Sequence, residues 1–180
     1  MENKENKPYE HEQDNTKDKS TIIKNKTIEI INNAKYLLSR YIQEYKLNSP
    51  IAVFDVDDTL FFNGGKIPNE PVIDFYRLIS KIGIPIYIIT ARLDDQVTID
   101  YTVNSLKELD LKYEGIFFRS QYENDVYRFK NNTREYLCRT LGKTIIVSVG
   151  DMIWDVNTFT HIPVLLPNHN YYINYIYNMF

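Results

Sequence analysis

An α/β domain with a central parallel sheet between helical layers is the fold this sequence predicts, and three observations predict it. From Pro50 onward, short apolar runs alternate with helical patterns, the mark of successive βαβ units. The runs show no polar alternation, as expected of strands covered on both faces. Several of them end abruptly in polar clusters, and in open parallel sheets ligands bind beyond the carboxyl ends of the strands.

The elements follow in order. Residues 1–20 contain almost nothing apolar and mix Lys, Glu, Asp and Asn, so burial cannot offset their ordering entropy and a disordered tail is expected. Residues 21–48 change character: Ile23, Ile30, Ile31, Ala34, Leu37, Leu38 and Tyr41 fall at helical spacing, closed by Asn48-Ser49-Pro50. The pattern predicts an amphipathic helix over Thr21–Lys46 that packs on the domain or on a partner chain. Its polar face mixes acid and base, which disfavours adsorption to a membrane. The domain proper is expected over 49–180. Its strands are placed at Ile51–Asp55, Ile84–Thr90, Gly115–Phe118, Thr144–Val149 and Ile162–Leu166, and its helices at Glu70–Lys81, Asp94–Leu109, Asn131–Leu141 and Ile153–Phe159. Acids at Asp94-Asp95 suit a helix start, and Gly142 suits the position just past a helix end. The aromatic stretch Tyr171–Phe180 reads as an edge strand or a core-covering tail.

Composition narrows the class. A chain of 180 residues that is 43% hydrophobic, with 15 Tyr and 9 Phe, suits one domain with a real core. Net charge of -3 and an isoelectric point near 5.6 argue against a non-specific nucleic-acid binder, though not against a single phosphate site. The lone Cys138 rules out an internal disulfide and a cysteine-rich zinc site, and its apolar setting reads as core. His11, His161 and His169 are scattered, without metal-ligand spacing. No apolar run approaches a membrane span, and the N-terminus lacks the apolar core of a secretory signal. An intracellular, cytoplasmic location is the expectation.

Four polar clusters fall at the ends of predicted strands: Asp55-Val56-Asp57-Asp58-Thr59, Thr90-Ala91-Arg92, Lys130 near a helix start, and Gly150-Asp151 with Asp155. Three carboxylates crowded after one strand repel one another, so a cation normally sits among them, and Mg²⁺ is the hard ion that such oxygens hold. Each cluster alone is weak, since Thr can cap, Lys is commonly solvated and Gly-Asp commonly turns. In this order and at these positions they resemble the haloacid dehalogenase-like (HAD) phosphohydrolase superfamily. Arg92 straight after Thr90-Ala91, Phe117-Phe118-Arg119, Phe129-Lys130 with Arg134, Gly150-Asp151 with Asp155, and Leu165-Leu166-Pro167-Asn168 followed by Tyr171 narrow the likeness. They look like the plant and bacterial class B-like acid phosphatases of the capless subclass III, over roughly Ile51 to Tyr172. Two departures stand out: those enzymes are generally exported, and Asp58 stands where Glu is common.

The resemblance implies a Rossmann-like three-layer α/β/α sandwich with little or no cap, and a phosphatase chemistry. Asp55 would be the nucleophile, forming an aspartyl-phosphate, and Asp57 the general acid and base. Thr90 would bond phosphoryl oxygens, and Lys130 would supply fixed positive charge to nucleophile and phosphate. Thr59, Arg92 and Asp58 would flank the phosphate, with Asp58 either binding or only closing the turn. Mg²⁺ would be held by Asp55, the Asp57 carbonyl and Asp151, with Asp155 behind them. The short insert between Leu60 and Asn69 implies an open site, suited to a phosphorylated small molecule or a macromolecular phosphate ester. Nucleic-acid end processing and nucleotidase activity remain as alternatives, with Arg119, Arg128, Lys130 and Arg134 as possible contacts. A phosphoacceptor signalling domain fits less well, because both leading acids follow the first strand. An inactive scaffold and a second copy of the chain as partner also stay open. An EF-hand fails for want of its Gly and terminal Glu, and no P-loop is present.

Overall fold

The computed structural model of the protein describes residues 10–46 and 48–168, with side chains from 21 onward. The expected aromatic tail at 171–180 lies outside the described residues.

Strand β1 (Pro50–Phe54) shows how the sequence makes the layers. Ala52 and Phe54 point into one apolar cluster and Ile51 and Val53 into another, so an unbroken apolar run is what a two-faced strand requires. The hairpin strands β2 (Phe61–Phe62) and β3 (Ile67–Pro68) follow, then β4 (Ile86–Leu93), β5 (Gly115–Arg119), β6 (Thr144–Gly150) and β7 (Thr160–Leu165). The main sheet is parallel throughout, in the order β5-β4-β1-β6-β7. The chain therefore builds outward on one side of β1 and then returns to the other. The crevice beyond β1 and β6 is the switch point where ligands bind in such sheets.

Helices α1 (Glu10–Glu44), α2 (Glu70–Lys81) and α3 (Gln96–Glu108) cover one face, and α4 (Val126–Glu135), continued by a π-helical turn over Tyr136–Thr140, covers the other. Helix α2 matches the expected span, with Pro71 in its first turn and Val72, Ile73, Phe75, Tyr76 and Ile79 buried at helical spacing. Helix α3 starts at Gln96 rather than Asp94, because Asp95 is its cap and accepts from the Thr98 N–H. Likewise Asp125 caps α4 through the Arg128 N–H, so that helix begins five positions ahead of the expected Asn131 and Lys130 sits in its second turn. Helix α5 (Ile153–Val156) is shorter than expected.

Helix α1 also departs from expectation, since it begins at Glu10 rather than Thr21. Residues 1–9 lie outside the described residues. No Gly or Pro interrupts 10–44, and Glu, Gln and Lys are good helix formers. Once Ile23, Thr27, Ile31, Ala34 and Leu38 anchor the helix on α2 and β7, adding turns outward needs no new nucleus. Among the described residues, no helix is long and apolar enough to cross a membrane.

Candidate active site

Asp55 follows β1 directly, its N–H donating to the Val149 carbonyl of β6, which ties the end of one central strand to the other. The chain then turns sharply. The N–H groups of Leu60 and Phe61 both donate to the Val56 carbonyl, and Asp58 takes a left-handed φ of 53° while its N–H donates to the Phe61 carbonyl. Asp58 thus closes the turn, and its charge is felt at Asp151. Thr59 is buried, and its hydroxyl donates to Asp55 Oδ2 at 3.3 Å, so it orients the carboxylate expected as nucleophile.

Lys130 reaches this point from the opposite helical layer. Its ammonium donates to Asp55 Oδ1 and to the Ile89 carbonyl, each at 2.5 Å, and lies 2.7 Å from Asp155 Oδ1. That last contact is an ion pair without the alignment of a hydrogen bond, so Asp155 Oδ1 has charge compensation but no directed donor. Oxygens of Asp55, Asp151 and Asp155 all lie within 4.8 Å of one another, and all three residues are buried. Three carboxylates thus face a single ammonium. Burial, above all, pushes Asp55 up to about 8 despite Lys130, with the charges of Asp155 and Asp151 adding to the rise. Burial, then Asp155 and Asp58, pushes Asp151 up to about 7. Burial alone would lower Lys130, but Asp55 and Asp155 outweigh it and hold its ammonium above the ordinary value.

One glycine makes the convergence possible. A Cβ on Gly150 would lie 2.1 Å from Asp155 Cβ and 2.7 Å from Asp155 Oδ2, so no other residue lets the acidic loop fold back on its strand.

Thr90 and Arg92 lie on β4 itself, which runs three residues past its expected end. Thr90 is fully buried and its oxygen accepts from the Arg92 N–H, leaving its own proton available to donate. Arg92 was expected to flank a phosphate. In the structure its Nε and Nη2 instead grip Asp57 at 2.9 and 2.7 Å, while Nη1 donates to Thr102 and the guanidinium lies over the Tyr101 ring. Asp57 keeps nearly half of its side chain exposed at the mouth of the site, apart from the buried three.

Two contacts were absent from the sequence-based site. The Asn168 amide donates to Asp151 Oδ2, and Arg134 is buried against the loop that carries Asp155. The signals were present: Asn168 ends a Leu-Pro-Asn run, and Arg134 follows Lys130 by one helical turn, hence on the same face. Of the cations that could have lined a nucleic-acid track, Arg119 donates to the carbonyls of Ala91 and Glu123, and Arg128 pairs with the Glu123 carboxylate. Cys138 packs against the apolar cluster around Leu137, and burial pushes its thiol up.

No protein-family model matches the sequence, and no curated protein matches it. Among solved structures, the class C acid phosphatase from Bacillus anthracis aligns over 88% of this chain and 74% of that one, at 17% identity and a TM-score of 0.61. The chain has the haloacid dehalogenase-like fold. A structure of the Pnkp1/Rnl/Hen1 RNA repair complex aligns over 57% of this chain and 37% of that one, at 15% identity and a TM-score of 0.45. The sequence resemblance points to class B-like enzymes and the matching phosphatase is of class C; a shared fold does not separate the two. The only insertion between β1 and α2 is the β2–β3 hairpin, so the cap is minimal, as expected.

Proposed function

We propose that this protein is a Mg²⁺-dependent phosphomonoester hydrolase that works through an aspartyl-phosphate on Asp55. One observation carries the reading: three buried carboxylates converge with a single ammonium at the switch point of the sheet. Lys130 is the cation in ion-pair contact with these carboxylates, and Arg134 behind Asp155 bonds only carbonyls and neutral side chains, so the cluster stays net negative when all are ionised, which a divalent cation would balance. The all-oxygen donor set, with oxygens within 4.8 Å of one another, suits a hard ion. Asp55, Asp151 and the Asp57 carbonyl would hold it, supported by Asp155. Bound there, Mg²⁺ would offset charge on the nucleophile and on the phosphoryl oxygens.

The chain's own residues supply the rest. Thr59 and Lys130 fix the Asp55 carboxylate, one of whose oxygens attacks phosphorus as the ester P–O bond breaks. Asp57, at the mouth, takes up a proton from solvent as one of its two bonds to Arg92 is released, and gives that proton to the departing oxygen. It then takes a proton from the water that attacks the acyl phosphate, freeing Asp55 and inorganic phosphate. Thr90 donates to the transferring group, and Arg92 holds Asp57 in place for both proton transfers. The minimal cap favours bulky esters, and their class is left to a screen of phosphorylated metabolites, nucleotides and end-phosphorylated oligonucleotides.

The test is hydrolysis of an aryl phosphate with and without Mg²⁺. Turnover should require the cation and fall at least about a thousandfold in Asp55→Asn. Undiminished turnover in that variant overturns the nucleophile assignment. A long-lived acyl phosphate with little turnover would point instead to a phosphoacceptor signalling domain.

A further inference from the structure

Arg134 is a buried cation that the chemistry above leaves without a task. It is fully inaccessible to solvent, yet its hydrogen-bond partners are carbonyls and neutral side chains. Its Nη1 donates to the Asp155 carbonyl at 3.1 Å and its Nη2 to the Trp154 carbonyl at 2.5 Å, with Asn131 and Thr158 taking further bonds. Both carbonyls belong to α5, a helix of four residues whose C-cap bond runs from the Asn157 N–H to the Ile153 carbonyl and whose start is tied by the Met152 N–H donating to Asp155 Oδ2 at 3.1 Å. A helix this short has no stability of its own, and its last carbonyls have no partner within the helix. Arg134 supplies donors to two of them, and the Ser148 hydroxyl donates to the Asp155 carbonyl at 2.7 Å. The favourable place for a cation is this carbonyl end.

The same helix face carries Lys130 one turn earlier, and the two cations divide one residue between them. Lys130 compensates the Asp155 carboxylate, and Arg134 holds the Asp155 backbone. We propose that Arg134 is a positioning residue that fixes the Gly150–Thr158 loop so that Asp151 and Asp155 converge with Asp55 in a cation-ready arrangement. The proposal rests on the reading of this cluster as a Mg²⁺ site. Planarity matters here, since a guanidinium spans two adjacent carbonyls where an ammonium reaches one well.

The test is Mg²⁺ binding by calorimetry, with Tm and turnover measured alongside. Arg134→Gln should raise the Mg²⁺ Kd at least tenfold, with most turnover restored at saturating Mg²⁺, and Arg134→Lys should fall between it and the wild type. Leu137→Ala, on the same buried face but apolar, should lower Tm while leaving Kd within about twofold. If Arg134→Gln does not fold, Arg134→Lys and Ser148→Ala carry the test, the latter with a Kd raised about threefold. A wild-type Kd in the folded Arg134 variants overturns the proposal alone, as does an equal weakening by Leu137→Ala. If the wild-type protein binds no divalent cation, the site reading falls first and this inference with it.

Discussion

Two arrangements of opposite charge sit a few residues apart at the rim of the sheet, and they are balanced differently. At the centre, Lys130 stands alone among three carboxylates, all buried. At the mouth, Arg92 meets Asp57 one to one, both oxygens gripped, with nearly half of the acid in solvent. The outer pair is complete as it stands. Water reaches the Asp57 side of it, so removing Arg92 leaves an acid that solvent can still stabilise. The inner cluster is incomplete, because burial removes the water that would otherwise relieve its negative charge. The difference teaches that burial, more than the count of charges, decides which carboxylates stay uncompensated.

The comparison can be broken from several sides. Lys130→Met should show the largest effect, abolishing turnover and destabilising the metal-free protein by about 3 kcal/mol, since it leaves three buried acids with no cation among them. Chemical denaturation and an aryl phosphate assay measure both. Gly150→Ala should cost roughly 1–3 kcal/mol, because the added methyl drives Asp155 of α5 away from the end of β6. It should also weaken the stabilisation given by Mg²⁺; a variant with wild-type Mg²⁺ response would show that Asp155 is dispensable to the site.

The third prediction concerns pH. Asp55 and Asp151 stand at about 8 and about 7 in the folded protein, against 3.8 ordinarily, so the folded state binds more protons than the unfolded one in between. Their contribution to stability is full below about pH 4 and is lost as pH rises through 7 and 8. A divalent cation competes with those protons, so the gain in Tm from Mg²⁺ should widen from pH 5 to pH 8. A gain that stays constant over that range would contradict an uncompensated acidic centre. The smallest effect belongs to the outer pair. Arg92→Gln should cost no more than about 1 kcal/mol while slowing turnover, through the loss of Asp57's orientation. A stability loss matching Lys130→Met would erase the distinction between centre and mouth.

Where the candidate residues fall relative to the strand ends could be read before the fold was known. Asp55, Thr90 and Asp151 each terminate or follow an apolar run, and the run itself says that the strand is buried and its end is a rim. Lys130 was legible only through the family resemblance, since a lysine near a helix start has no signature of burial. The engagement of Arg92 with Asp57 was not legible. The two lie 35 positions apart, and a guanidinium beside a phosphate site serves the phosphate or a neighbouring acid equally well on paper. Asp125, as the cap that moves α4 forward, was a local signal passed over. Helix α1 starts at Glu10, ahead of the expected Thr21, where good helix formers let an anchored helix extend outward.

By itself the sequence determined the alternation of strands and helices, the two-sided burial of β1, and the carboxylates placed beyond it. These follow from patterns of two to four residues, where the side chain's own periodicity decides which face it occupies. Only the tertiary structure decided that Asp155 approaches within a methyl's breadth of Gly150, that Lys130 divides itself between two acids, and that Arg134 grips the loop from behind. Those contacts join residues from different layers, and their energies depend on distance and on the exclusion of water, neither of which exists until the layers have closed.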